Sequence, residues 1–348
     1  MPPDRPDAGN VTIHDVAEEA GVSAATVSRF LNGSGKIAEP TAERVRAAVE
    51  ALRYRPDRTA RTLAEPDRRV LAVALPSFIT PFHNALLKGI RFELRGFECD
   101  LLLRDLGSED SAGELARFLQ HGAVDGLLVV GGLRETARRE LRHWRAPAVV
   151  IGAAVDGIDS FFWDDAAGGR LAAEHLLAAG HRRIGVIQSA RSELAPQEQR
   201  MAGYREALEA AGVAYDPALT ASGQAQKHAG FSEEAGREAM TRLLDATPPV
   251  TAVFALSDVH AMGAWAALRD AGRRVPQDVA LVGYDDVKTS QFVGLTSVSQ
   301  DMHRVGERAT ACLLDRLRGG PPEEPRSVRI EPALHPRRSS DVSQEAPS

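Results

Sequence analysis

Residues 21–33 read GVSAATVSRFLNG. Gly21 and Val22 make a tight turn and Ser23 is a natural N-cap. The helix that follows carries Val27, Phe30 and Leu31 inward and Ala25, Ser28 and Arg29 on the opposite face, with Ala24 in its exposed first turn. Asn32-Gly33 ends it. Upstream, Thr12 and Asp15 have the spacing of a capping box, and Ile13, Val16, Ala17 and Ala20 follow at helical spacing. Downstream, Pro40 to Leu52 repeats the period with Val45, Ala48, Val49 and Leu52. Two short helices joined by a glycine turn and backed by a third make a helix-turn-helix. By periodicity alone, a three-helix unit with a solvated outer face fits as well. Local charge separates the two: from Gly21 to Leu63 eight bases stand against four acids, in a chain whose net charge is −6. A phosphate backbone requires such a basic surplus.

At 348 residues the chain suits two or three domains. With 43% hydrophobic and 26% charged residues it has an ordinary globular composition. Its two cysteines, Cys99 and Cys312, form neither a CxxC metal pair nor a disulfide framework, which fits a reducing cytosol. The opening MPPDRPDAGN has no apolar stretch of the kind an export signal needs. No apolar run approaches the ~18 residues of a membrane span, so a cytoplasmic location is expected.

Residues 54–69, YRPDRTARTLAEPDRR, form an Arg-rich, proline-punctuated connector. From Val70 the texture changes to short apolar runs alternating with helical stretches. VLAVALP (70–76), DLLLRD (100–105), VDGLLVV (124–130), PAVVIG (147–152), RRIGVI (182–187), VTAVFAL (250–256) and DVALVGY (278–284) read as buried strands. Such alternation implies parallel doubly wound sheets, and the length is comfortable for two lobes with a ligand cleft between them. The boundaries expected are a head at 11–55, a hinge helix and linker at 56–69, and a two-lobed domain at 70–339.

Enzyme signatures are missing: there is no GxSxG, GxGxxG or HExxH. The GSGK at 33–36 lacks the upstream glycine and following Ser/Thr of a P-loop. The adjacent acids Asp164-Asp165 and Asp285-Asp286 would point opposite ways on a strand, which is poor geometry for a carboxylate pair. No catalytic residue, metal or cofactor is expected.

VTIHDVAEEAGVSAATVSRFLNG together with YRPDRTARTLA closely resembles the DNA-binding head and hinge of the LacI/GalR family of bacterial transcription regulators. HLLAAGHRRIGVI, QRMAGYREAL, VFALSDVHAMGA, DVALVGYDD and LTSVSQDMHRVGERA resemble that family's periplasmic-binding-protein-like domain, in order. The resemblance implies a small all-α helix-turn-helix domain followed by a two-lobed α/β domain. It also implies a ligand-responsive repressor that binds a pseudo-palindromic operator as a homodimer.

In the family the second helix lies in the major groove. Ala24, Ala25 and Arg29 would then face base edges, with Arg29 forking onto guanine O6 and N7 and the alanines offering methyl contact. Ser23, Thr26, Ser28, Asn32 and Arg58 are the implied partners for phosphate and groove. Leu63 matches the leucine that wedges into the central minor-groove step; without the resemblance it reads as a helix-packing leucine.

In the cleft the family's ligand contacts match Phe82, His83, Trp163, Arg200, Phe231 and Asp285. Aromatic faces can stack on a sugar ring or a base, and Arg200 and Asp285 can fork onto hydroxyls or ring nitrogens. The two tryptophan and phenylalanine positions 163 and 231 also read as core aromatics, and His83 as a surface histidine. Two departures stand out: Gly152-Ala153 where the family often has a polar pair, and Ser257 where it usually has asparagine. They point to a larger or less hydroxylated ligand, a sugar or a nucleoside- or purine-like metabolite. The rival reading is an exported sugar-binding protein, against which the head and the missing signal both count.

Overall fold

The computed structural model describes residues 12–31, 37–52, 69–77, 80–106, 111–121, 124–133, 135–144, 146–190, 195–224, 231–319 and 324–341. Contacts divide the chain into two units, Met1–Arg69 and Val70–Ser348.

The first unit holds α1 (Ile13–Ala20), α2 (Ala24–Leu31) and α3 (Glu39–Ala51). The capping box forms: the Thr12 amide donates to Asp15 Oδ2 at 2.7 Å and the Asp15 amide to Thr12 Oγ1 at 3.4 Å. Gly21 turns the chain at φ 62°, in the left-handed region that glycine enters freely. Ser23 Oγ accepts from the Thr26 amide at 3.2 Å, capping α2 as its position predicts. Val16, Ala17, Ala20, Val27, Val45 and Ala48 are buried together, so each helix contributes to one small core.

The second unit contains two six-stranded sheets. The first is built from β1 (Arg69–Leu75), β2 (Cys99–Asp105), β3 (Gly126–Val130), β4 (Ala148–Ile151), β5 (Asp159–Trp163) and β11 (Ser327–Ile330). The second is built from β6 (Ile184–Gln188), β7 (Thr220–Ser222), β8 (Ala252–Ala255), β9 (Ala280–Asp285), β10 (Thr296–Ser299) and β12 (Ala333–His335). Their orders are β11-β5-β4-β3-β1-β2 and β12-β10-β9-β8-β6-β7. β1, β3, β4, β5 and β11 pair in parallel in the first sheet, and β6 to β10 do so in the second, whereas the edge strand β12 runs antiparallel to β10.

Helices cover both faces of each sheet. On the first, α5 (Ser111–His121) and α6 (Glu135–His143) lie on one side, α4 (Pro81–Glu93) and α11 (Met302–Leu317) on the other. On the second, α7 (Asp165–Ala178) and α8 (Ala195–Ala210) face α9 (Glu233–Leu244) and α10 (Asp258–Asp270) across the strands. The strand runs are apolar throughout because both faces are buried: Val73 and Leu75 point into one core, Ala72 and Ala74 into the other. The chain crosses between the lobes three times, at Asp164 after β5, at Gln300-Asp301 after β10, and at Glu331-Pro332 after β11.

The seven expected strands are present. β11 and β12 fall in VRIEPALHPRR (328–338), which also reads as a strand region, whereas β5, β7 and β10 were not expected. These three run three to five residues and carry Asp159, Thr220 or Ser297, too short and too polar to stand out. Among the described residues no helix is long and apolar enough to cross a membrane.

Candidate functional sites of the two units

On α2 the face opposite the core is open. Ala25 and Arg29 are exposed, and Arg29 Nε donates to the Ala25 carbonyl one turn earlier at 3.2 Å. Ala24 corrects the expectation of an exposed first turn: it is half-buried and packs against the head core, because it shares the helix face of Val27. Ser23 and Thr26 bond each other through their hydroxyls at 2.9 Å at the start of the helix. Ser28 is half-buried. Asn32, Arg58 and Leu63 lie outside the described residues.

In the two-lobed unit the polar side chains gather at the carboxyl ends of the strands, where such sheets bind ligands. Arg200, on α8, is 6% exposed. Its Nε donates to Asp165 Oδ1 at 2.7 Å and its Nη1 to the Leu256 carbonyl at the end of β8 at 2.6 Å. Its guanidinium lies 3.7 Å over the Tyr284 ring, and Nη1 stands 4.0 Å from Asp285 Oδ1. Burial alone would weaken its proton affinity, but Asp165, Tyr284 and Asp285 hold its pKa above the ordinary arginine range. Asp285 ends β9 at φ 107° and accepts from Gln300 Nε2 at 2.6 Å. Burial raises its pKa to about 7, against the lowering pull of Arg200 and Gln300.

Trp163 ends β5 and is buried in the first lobe's core, where its Nε1 donates to the Gln300 carbonyl at 2.7 Å. Phe82 meets it edge-on at 5.5 Å and meets His83 edge-on at 5.1 Å. Thr80, the N-cap of α4, bonds His83 Nδ1 at 2.6 Å. Burial lowers the pKa of His83 to about 4, so the ring is neutral at pH 7. The fold thus links Phe82, His83, Trp163, Asp285 and Arg200 through ring contacts and one intermediary, Gln300. Phe231 stands apart from that chain of contacts, stacked on His260 of α10 at 5.4 Å.

Gln300 and Tyr284, which touch Asp285 and Arg200, were not singled out in the sequence, and Asp165 was noted only as half of an adjacent acid pair. Gln300 acts partly through its backbone carbonyl, which leaves no mark on residue type. The adjacent acids do take different partners, one pair at the start of α7 and the other at the end of β9. Asp165 takes Arg200, while Asp164 caps α7 and pairs with Arg329. Asp285 faces Arg200, while Asp286 accepts from Arg337 at 2.6 Å.

The two departures have local causes. Gly152 sits at φ 106°, a conformation that side chains rarely adopt. Ser257 is buried and N-caps α10 by accepting from the His260 amide at 3.3 Å. The next residue, Asp258, is a scaffold acid: it accepts from the Val287 amide and from the Ser290 and Ser297 hydroxyls, at 2.6–2.8 Å.

Residues 12–57 match the family model described as bacterial regulatory proteins, lacI family, and residues 173–340 match a periplasmic binding protein-like domain. The HTH-type transcriptional regulator CelR of Thermobifida fusca is 37% identical over 91% of this chain and 95% of its own. A structure of a CelR–cellobiose complex is similar with a TM-score of 0.67 at 34% identity, covering 95% of this chain and all of that one. The lac repressor dimer bound to operator and an anti-inducer is similar with a TM-score of 0.68 at 25% identity, covering 95% and 99%.

Proposed function

The chain belongs to the lacI family of bacterial transcription regulators, and on that footing we propose that it is a cytoplasmic repressor controlled by a small molecule held between the lobes of its second unit. It binds a pseudo-palindromic operator as a homodimer, with Arg29 reading a base and Ala25 making methyl contact. One observation carries the reading: a helix-turn-helix head with an open α2 face stands on the same chain as a two-lobed domain whose polar residues gather at the strand ends. The relatives are transcription regulators rather than enzymes, so the polar cluster is read as a binding site.

Arg200 and Asp285 are the polar clamps of that site, and Phe82 and His83 offer an aromatic wall. Nη2 of Arg200 has no protein partner among the described residues and is free to meet the ligand. A sugar suits these groups, since its ring can lie on an aromatic face while its hydroxyls reach the charges. The CelR relative is known as a complex with cellobiose.

The test has two parts. Selection from random duplex DNA yields a symmetric site, and fluorescence anisotropy gives the affinity for it. A thermal-shift screen with cellobiose, ribose, adenosine and hypoxanthine then finds the effector class; ligand at 100 times its Kd adds ~2.7 kcal/mol of stability. Failure to enrich any symmetric site removes the regulator reading.

A further inference from the structure

An arginine that reads a ligand must present its N–H groups in a fixed direction, and its orientation depends on what surrounds it. Three groups hold Arg200: the Asp165 carboxylate, the Leu256 carbonyl and the face of Tyr284. The ring is fixed in turn. Its hydroxyl donates to Asp165 Oδ1 at 3.3 Å, the same oxygen that accepts from Arg200 Nε. The tip of the ring lies against the bare Cα of Gly168, on α7. A Cβ at that position would stand 2.1 Å from the Tyr284 hydroxyl oxygen and 2.7 Å from Cζ, so the ring occupies the space that any side chain would take. Tyr284 is fully buried, which leaves it little room to turn aside.

We propose that Gly168 and Tyr284 are positioning residues for the effector site: the missing side chain at Gly168 seats the ring, and the ring holds the Arg200 guanidinium in its ligand-reading orientation. The inference rests on Arg200 being an effector contact, as argued above, but its test needs no effector. A purely structural role for Gly168 makes a clear contrast. Gly236, where α9 crosses α10, is equally tight, with a Cβ placed 2.2 Å from the His260 carbonyl oxygen. Packing loss alone would make the two alanine variants equivalent.

The measurement is the Arg200 Nε–H resonance in nitrogen-15 spectra of the full chain, identified by its disappearance in Arg200→Lys. Held on a buried carboxylate, this proton exchanges slowly with water in the wild type. Gly168→Ala is expected to abolish the protected peak, and Gly236→Ala to leave it. Tyr284→Phe keeps the ring and retains the peak; Tyr284→Leu removes the ring and loses it. A wild-type peak in folded Gly168→Ala, or its equal loss in Gly236→Ala, overturns the proposal. Should Gly168→Ala not fold, the contrast between Tyr284→Phe and Tyr284→Leu decides: equal peaks overturn it. If no screened small molecule binds, the function proposed above fails while this result stands or falls by itself.

Discussion

Arg29 leaves α2 on its exposed side with Nε resting on the Ala25 carbonyl. That contact is a resting place that a guanine edge can replace with two hydrogen bonds. Arg29→Ala is expected to cost ~1–3 kcal/mol of operator binding and to erase the preference at one G·C pair in each half-site. Competition with single-base operator variants checks this, and an unchanged preference profile removes Arg29 as the reader. Asp285 makes a different residue-scale prediction. Its carboxyl loses a proton near ~4 in the unfolded chain but keeps it to about 7 in the fold. Between those values the folded state binds more protons, so stability falls as pH rises, by at most ~1.4 kcal/mol per pH unit for one proton. Asp258, pushed up to about 8 by burial and by Asp285, acts in the same sense. Asp285→Asn therefore has a shallower fall in stability from pH 5 to pH 7 than the wild type, in urea titrations at each pH. Equal slopes would show that Asp285 does not hold the proton.

Among the elements, the crossings between lobes matter most. The first and second are tied by the hydrogen bond from Trp163 to the Gln300 carbonyl, and the Gln300 side chain reaches Asp285. Trp163→Phe keeps an aromatic ring but leaves a buried carbonyl unpaired, a loss of ~1–3 kcal/mol. A melting temperature a few degrees lower is expected, and an unchanged one would mean that water or a shifted backbone takes up the carbonyl. The hinge proposed at 56–69 gives the companion prediction. Leu63→Ala reduces the operator's bend in circular-permutation gel shifts while leaving ligand binding intact, and equal bend angles rule out the wedge. What was legible in the sequence follows from these elements. The head helices show themselves because caps and apolar period coincide over 12–31. Arg200 and Asp285 could be placed because they match positions that the resemblance assigns to ligand contact. Gln300 and Tyr284 could not, since their roles come from a backbone carbonyl and a buried ring brought together by residues far apart in the chain. Ala24 shows the limit of a helical wheel: one position's turn decides between core and open face.

For the whole molecule, the three crossings are the covalent links between the lobes. A ligand shifts operator affinity only if it binds two arrangements of the protein unequally, and the coupling must be reciprocal. Arg200→Ala and Asp285→Ala should therefore lose the ligand by a large factor yet keep the operator affinity of the ligand-free protein. The most direct measurement is a closed cycle on the wild type: operator affinity by anisotropy with and without saturating ligand, and ligand affinity by calorimetry with and without operator. The account predicts one factor, ~5–150-fold, in both directions. A ligand that binds tightly in the cleft while operator affinity stays unchanged would contradict it.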